Sequence, residues 1–244
     1  MKTAIFVDGA FFIKRLKFLY GNKPKFDVND PKQIIEELMS ICTKHLNEKT
    51  QAESKEEKRK AESKEEKRKY EQKHELYRIF FYDCSPIVKK AHYPVSNKAL
   101  DFAKTPQAFL RQAVHGELKK SRKTALRLGK LGGFGQWRMK SDILKDILNK
   151  NKKPEDLKDD DFYYDIRQKG VDMRIGIDIA SVAYKKQAER IVLISGDSDF
   201  VPAAKLARRE GIDFILDPMY APVADDLFEH IDGLWSTCWK DKKK

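Results

Sequence analysis

Four aspartates stand where carboxylates can act together: Asp8, Asp172, Asp197 and Asp199. Asp8 closes the apolar run 3–7 and precedes a helical pattern over 10–20. Asp197 and Asp199 belong to Ser195-Gly196-Asp197-Ser198-Asp199, which breaks the strand-like run 191–194. Ser198 or Asp199 is placed to cap the helix that follows, and Pro202 is tolerated in its first turn. Asp172 follows Lys169-Gly170-Val171 at the positive end of a helix expected over 172–186, where capping alone would also explain it. Strand ends and helix starts of this kind share the carboxyl edge of an open α/β sheet, where ligands bind. Two carboxylates roughly 5 Å apart repel by about 3 kcal/mol at an effective dielectric near 20. A helix N-terminus offsets only about 1 kcal/mol of that. Either some of the four take up protons or they hold a hard divalent cation. Oxygen donors without a nearby Cys or His favour Mg²⁺ or Mn²⁺ over zinc. Such an ion activates water and neutralises charge during displacement at phosphorus.

The elements that must position these groups alternate strand and helix, the pattern of an α/β fold with a mainly parallel sheet. After the helix over 10–20, a second is expected over 31–47, with Ile34, Ile35, Leu38, Ile41, Cys42 and Leu46 as its stripe. The run 76–82 reads as a strand ending on Asp83-Cys84-Ser85-Pro86, where Asp83 is read as turn chemistry. A helix is expected over 97–115, with Leu100, Phe102, Phe109 and Leu110 inward. TALRLGKL and QWRM read as a strand pair around Gly132-Gly133-Phe134-Gly135. The acidic run 159–161 reads as a solvated loop. Asp178 lies six residues beyond Asp172, so it joins the same site only if it points toward the strand ends. Gly211 ends the helix after Pro202, and 212–216 supplies the next strand. Trp235 and Trp239 are expected to pack.

The 244 residues suit one large domain, taken as 1–244, with an insertion. AESKEEKRK at 52–60 recurs unchanged at 61–69. Its (i, i+4) Glu–Lys pairs favour a solvated helix, so 48–75 is expected to be a charged helical insertion. That stretch is nearly neutral, so it does not explain the net charge of +12. Residues 116–153 do: twelve Lys and Arg against three acids leave a local excess of nine. There Lys119, Lys120, Arg122, Lys123, Arg127, Lys130, Arg138 and Lys140 surround Phe134 and Trp137. Lysines and arginines hold phosphates and aromatic faces stack on unpaired bases, so this segment is the candidate nucleic-acid surface. Three widely spaced cysteines form neither a metal pair nor a disulfide framework, and a reducing, cytoplasmic setting is expected. No run reaches membrane-spanning length. No H-E-x-x-H, phosphate-binding glycine loop or nucleophile elbow occurs. Asp8 also lacks a second Asp two places on, which disfavours a phosphatase of the D-x-D type.

FVDGAFF at 6–12, RQKGVDMRIGIDIA at 167–180 and LISGDSDFVPAAKLARREGI at 193–212 resemble the signature blocks of the NYN domain, in its LabA-like branch. That family belongs to the PIN-like nucleases. YRIFFYD at 77–83, ALRLGKL at 125–131 and EHIDGL at 229–234 match more loosely. The resemblance implies a Rossmann-like (PIN-like) α/β fold and Mg²⁺- or Mn²⁺-dependent cleavage of RNA. Asp8, Asp172, Asp197 and Asp199 match the family's acidic positions, and Asp178 matches a position often acidic in this branch. Many relatives carry Asn three residues after the first Asp. Phe11 stands there in this chain and cannot orient a ligand by hydrogen bonding.

The expected function is a metal-dependent endoribonuclease with those carboxylates as catalytic and metal residues, leaving a 5′-phosphate by family analogy. The alternative is a non-catalytic RNA-binding or regulatory NYN module. RNA is the expected partner, a membrane is not, and a homodimer is compatible with either reading.

Overall fold

The computed structural model describes residues 1–47 and 74–239, apart from the side chains at 132–134 and 167–168. The charged insertion expected at 48–75 therefore lies outside the described residues except for its last two positions. β1 (Lys2–Asp8) is the central strand. Its side chains from Thr3 to Val7 are inaccessible, as an apolar run covered on both faces must be. The chain continues through α1 (Gly9–Tyr20) and α2 (Pro31–Leu46) into β2 (Glu75–Cys84), which pairs parallel with β1. A short antiparallel ribbon, β3 (Lys90–His92) and β4 (Ala99–Asp101), precedes α3 (Pro106–Lys120). Then come β5 (Thr124–Met139), α4 (Ser141–Leu148) and β6 (Phe162–Lys169). α5 (Val171–Tyr184), β7 (Arg190–Ile194), α6 (Val201–Arg209), β8 (Asp213–Asp217), α7 (Asp225–Phe228) and β9 (Gly233–Leu234) complete the fold.

The sheet runs β6-β5-β2-β1-β7-β8-β9. Six strands are parallel, and β6 lies antiparallel to β5 at the edge. One face buries Ile5, Val7, Phe81 and Ile194 against α1, α2 and α3. The other buries Phe6, Phe80, Leu193 and Phe214 against α5 and α6. From β1 the chain moves toward β2, and from β7 it moves toward β8. The topological switch point therefore lies between β1 and β7, and the crevice outside their carboxyl ends is the expected ligand position.

Three local expectations change. The helix expected over 97–115 begins only at Pro106, because Thr105 caps it by accepting the Ala108 amide at 3.2 Å. Residues before it form β4 and a 3-10 turn, and Phe109 faces solvent. The two segments flanking the 132–135 glycines are not paired with each other; both belong to β5, and β6 is their partner. The ladder shifts register between Gly132 and Gln136, so those glycines mark an irregularity rather than a hairpin turn. The acidic run 159–161 is an ordered 3-10 turn. Within it Asp161 is buried against Lys152, and Asp159 accepts the Val95 and Ser96 amides.

β5 pairs with β2 only as far as Gly129. Beyond it, 130–132 and 136–139 pair with β6 alone, forming an arm that continues past the end of the β2–β5 ladder. Trp137 anchors this arm. Its ring lies 5.2 Å from Tyr164 and 5.5 Å from Tyr93, and its indole N–H donates to the His92 carbonyl at 2.8 Å. At the other end of the chain, Trp235 sits edge-on to His45 at 5.0 Å and Trp239 lies 5.5 Å from Tyr20.

Candidate active site

Asp8 ends β1 and caps α1: its Oδ1 accepts the Phe11 amide at 3.0 Å. The tight approach of α1 to β2 needs Gly9, whose added Cβ would meet the Phe81 ring at 2.4 Å and the Tyr82 carbonyl at 2.6 Å. Gly170, at φ 76°, takes the left-handed conformation that turns β6 into α5 and sets Asp172 in its first turn. Past β7, Asp197 rather than Ser198 or Asp199 acts as the cap. Its Oδ1 accepts the Asp199 amide at 3.0 Å to start a 3-10 turn, Ser198–Phe200, ahead of α6.

Asp8 feels the charge of Asp172, and Asp172 feels those of Asp197 and Asp199. Burial pushes the Asp8 carboxyl up to about 6, with the charges of Asp172 and Asp83 adding to the rise and the Phe11 amide opposing it. Asp172 is raised by partial desolvation and then by Asp197 and Asp199. Among the described residues none of the four has a Lys, Arg or His within ion-pairing distance. An open cleft of about 550 Å³ lies at the switch point, lined by Asp8, Phe11, Ser195, Gly196, Asp197 and Ser198 together with 222–224. Phe11 lies over Gly196, where an added Cβ would come within 2.8 Å of its ring.

The donors are carboxylate oxygens, of the hard type Mg²⁺ and Mn²⁺ prefer, and their charge is uncompensated. Yet no group of three or more His, Cys, Asp or Glu side chains among the described residues is spaced to enclose a metal ion. Mg²⁺ is usually held through one or two carboxylates and its retained waters rather than by a protein cage, and Asp8 and Asp172 would supply that donor set.

Asp178 stands apart from the other carboxylates. Tyr82 donates to it at 2.7 Å and Arg127 pairs with it at 3.4 Å, which turns it toward β2 and β5. The candidate nucleic-acid residues also divide. Lys119, Lys120, Arg122 and Lys123 lie at the amino-terminal rim, opposite the carboxylates; Lys123 donates to the Leu76 carbonyl at the start of β2. Arg127 and Lys130 lie near the carboxyl end of the β2–β5 pairing, with Arg138 and Lys140 farther along the arm. Arg138 is tied to Asp165 at 2.7 Å. Trp137 is engaged in its aromatic cluster.

Sequence reasoning missed the assembly around Asp83. This fully buried carboxylate receives Arg111 and His115, the latter at 2.7 Å, and the Cys84 amide at 2.8 Å. Burial alone would raise its proton affinity, but His115 and Arg111 hold it below the usual carboxylate range. The signal was the (i, i+4) spacing of Arg111 and His115 on one face of α3.

Parallel strands flanked by helices on both faces, with acidic groups at the switch point, define a Rossmann-like fold of the PIN-like kind. Residues 133–228 match the NYN domain family, which belongs to the PIN-like nuclease superfamily. The matched segment contains Asp172, Asp197 and Asp199, while Asp8 lies ahead of it. Members of this superfamily generally cut nucleic acid with divalent metals, and NYN nucleases act on RNA. A crystal structure of a protein of unknown function from Vibrio parahaemolyticus has a TM-score of 0.44 at 15% identity, covering 96% of this chain and 91% of that one. No curated protein matches the sequence significantly. Among the described residues no helix is long and apolar enough to cross a membrane.

Proposed function

We propose that the protein is a metal-dependent endoribonuclease whose ion is held by Asp8 and Asp172, with Asp197 and Asp199 completing the acidic rim. The observation that carries this is the convergence of uncompensated carboxylates at the switch point between β1 and β7. When bound there, Mg²⁺ or Mn²⁺ would supply activated water and neutralise charge on a phosphodiester. Asp8, fixed by the Phe11 amide, and Asp172, fixed at the start of α5, give that site its rigid side. Asp197 sits on the turn that opens into the cleft. Phe11, covering Gly196, presents an apolar wall where it meets the substrate.

A second reading, an RNA-binding module without turnover, is favoured by the spacing of the carboxylates, which do not enclose an ion. Incubation of labelled single-stranded RNA with the protein and its Asp197→Asn variant, in Mn²⁺ or in chelator, separates the two. The nuclease reading expects products only from the wild type and only with metal. Binding without cutting would support the module, and equal products from both proteins would mean contamination.

A further inference from the structure

Two arginines meet the same step of the sheet from opposite faces. Asp83 at the end of β2 is in register with Leu128 of β5, one residue past the Asp8–Tyr82 pairing. From α5, Arg174 donates one N–H to the Leu128 carbonyl at 2.9 Å. From α3, on the other face, Arg111 donates to Asp83. Each guanidinium has five N–H donors and spends one on these contacts, so both keep a fixed orientation with donors to spare.

Their charges are not equivalent. Arg127, Arg138, Arg190 and Arg208 each pair with an acidic side chain of their own, and Arg111 is paired with Asp83. Arg174 has a carbonyl partner only among the described residues, and its side chain is exposed. An uncompensated cation thus stands beside a row of uncompensated anions. Adjacent strands lie about 4.8 Å apart, so the Asp83–Leu128 step is separated from Asp8 by one to two strand spacings.

We infer that Arg174, with Arg111 across the sheet edge, forms a seat for a phosphate of the bound strand next to the one at the carboxylates. This deepens the RNA-cleaving reading and rests on it. The seat orders the rim: carboxylates at β1, α5 and β7 face the reacting phosphodiester, and guanidinium groups at β2 and β5 hold its neighbour. It also separates the arginines that act from the lysines on the opposite rim, which lie away from the bound strand.

Fluorescence anisotropy of a labelled single-stranded RNA tests this, with every variant placed in an Asp197→Asn background in Mg²⁺ so that cutting does not intervene. Arg174→Gln is expected to weaken binding and reduce the log–log salt slope by about 0.7, the value for one phosphate contact on a single strand. Arg174→Lys is expected to keep the slope, since the charge survives. A Lys119→Gln/Lys120→Gln control on the opposite rim is expected to leave it unchanged. Arg111→Gln is expected to weaken binding as well; its folding is checked by thermal melting because it deprives buried Asp83 of a partner. Arg174→Gln removes only a bond to a carbonyl, so it keeps the test decisive if Arg111→Gln does not fold. An unchanged slope in Arg174→Gln, or an equal loss in the lysine control, overturns the seat and leaves the RNA reading standing. Failure of the parent protein to bind RNA overturns the RNA reading and the seat with it.

Discussion

The Phe11 amide donates to Asp8 at 3.0 Å and favours its charged form, while burial and the neighbouring Asp172 favour the neutral one. Burial prevails: the group ordinarily near 3.8 is pushed up to about 6. The folded protein therefore binds the Asp8 proton more tightly than the unfolded chain between those two values. The sign follows from linkage: stability falls as pH rises through that window and levels above it. Asp8→Asn keeps the cap, since Asn serves that position as well as Asp. In chelator at neutral pH the variant is expected to be more stable by about 1–3 kcal/mol, with the pH dependence between 3.8 and about 6 reduced. Urea unfolding across that range checks both. The same variant is expected to lose cleavage, the usual opposition of stability and activity in a site built from like charges. A less stable Asp8→Asn would mean that the aspartate is held there for packing alone.

At the scale of elements, the approach of α1 to β2 and the turn into α5 set the rim, and each depends on a glycine for a different reason. An Ala at position 9 meets the Phe81 ring and the Tyr82 backbone, so α1 must move. Gly9→Ala is expected to cost about 2–3 kcal/mol, as overpacking does. Gly170 has open space around it, and only its φ of 76° resists a side chain. Gly170→Ala is expected to cost about 1–2 kcal/mol, the penalty of the left-handed conformation. Urea midpoints at unchanged m-value rank the two. The two junctions that hold these glycines were legible because the signal is local: an apolar run, a break, then a helical pattern. β4 and the 3-10 turn before Pro106 were missed although Thr105-Pro106 marked the helix start. Hydrophobic spacing from Leu100 to Leu110 fitted a longer helix, and Phe109 proved to be outside. The 132–135 glycines admitted a turn or an irregularity equally well, and only pairing with β6, some thirty residues on, decides between them. The (i, i+4) spacing put Arg111 and His115 on one face of α3, but that Asp83 is what they meet follows from the packing of α3 on β2 and could not be read along the chain.

Across the whole molecule, the cluster joins β1 to groups that follow 164 residues later at Asp172 and beyond. The repulsion within it is a standing cost of the metal-free fold, concentrated where burial is greatest, at Asp8. A divalent cation that binds the folded chain and not the unfolded one stabilises it by mass action, by about 2.7 kcal/mol at a hundredfold excess over its dissociation constant. The wild type is therefore expected to melt at a temperature that climbs with added Mn²⁺ and returns in chelator. Asp172→Asn is expected to blunt that climb and Asp8→Asn/Asp172→Asn to abolish it, since the ion then loses both of its fixed carboxylates. Asp178→Asn is expected to leave the climb intact, because Tyr82 and Arg127 already hold Asp178 away from the rim. This comparison reads the ion directly and needs no RNA, so it stands whether or not the protein turns over. A melting temperature indifferent to Mn²⁺ would leave the aspartates as mutually repelling caps and favour the binding module. A response that vanished with Asp178→Asn would instead require Asp178 to swing from Arg127 toward Asp172 when the ion arrives.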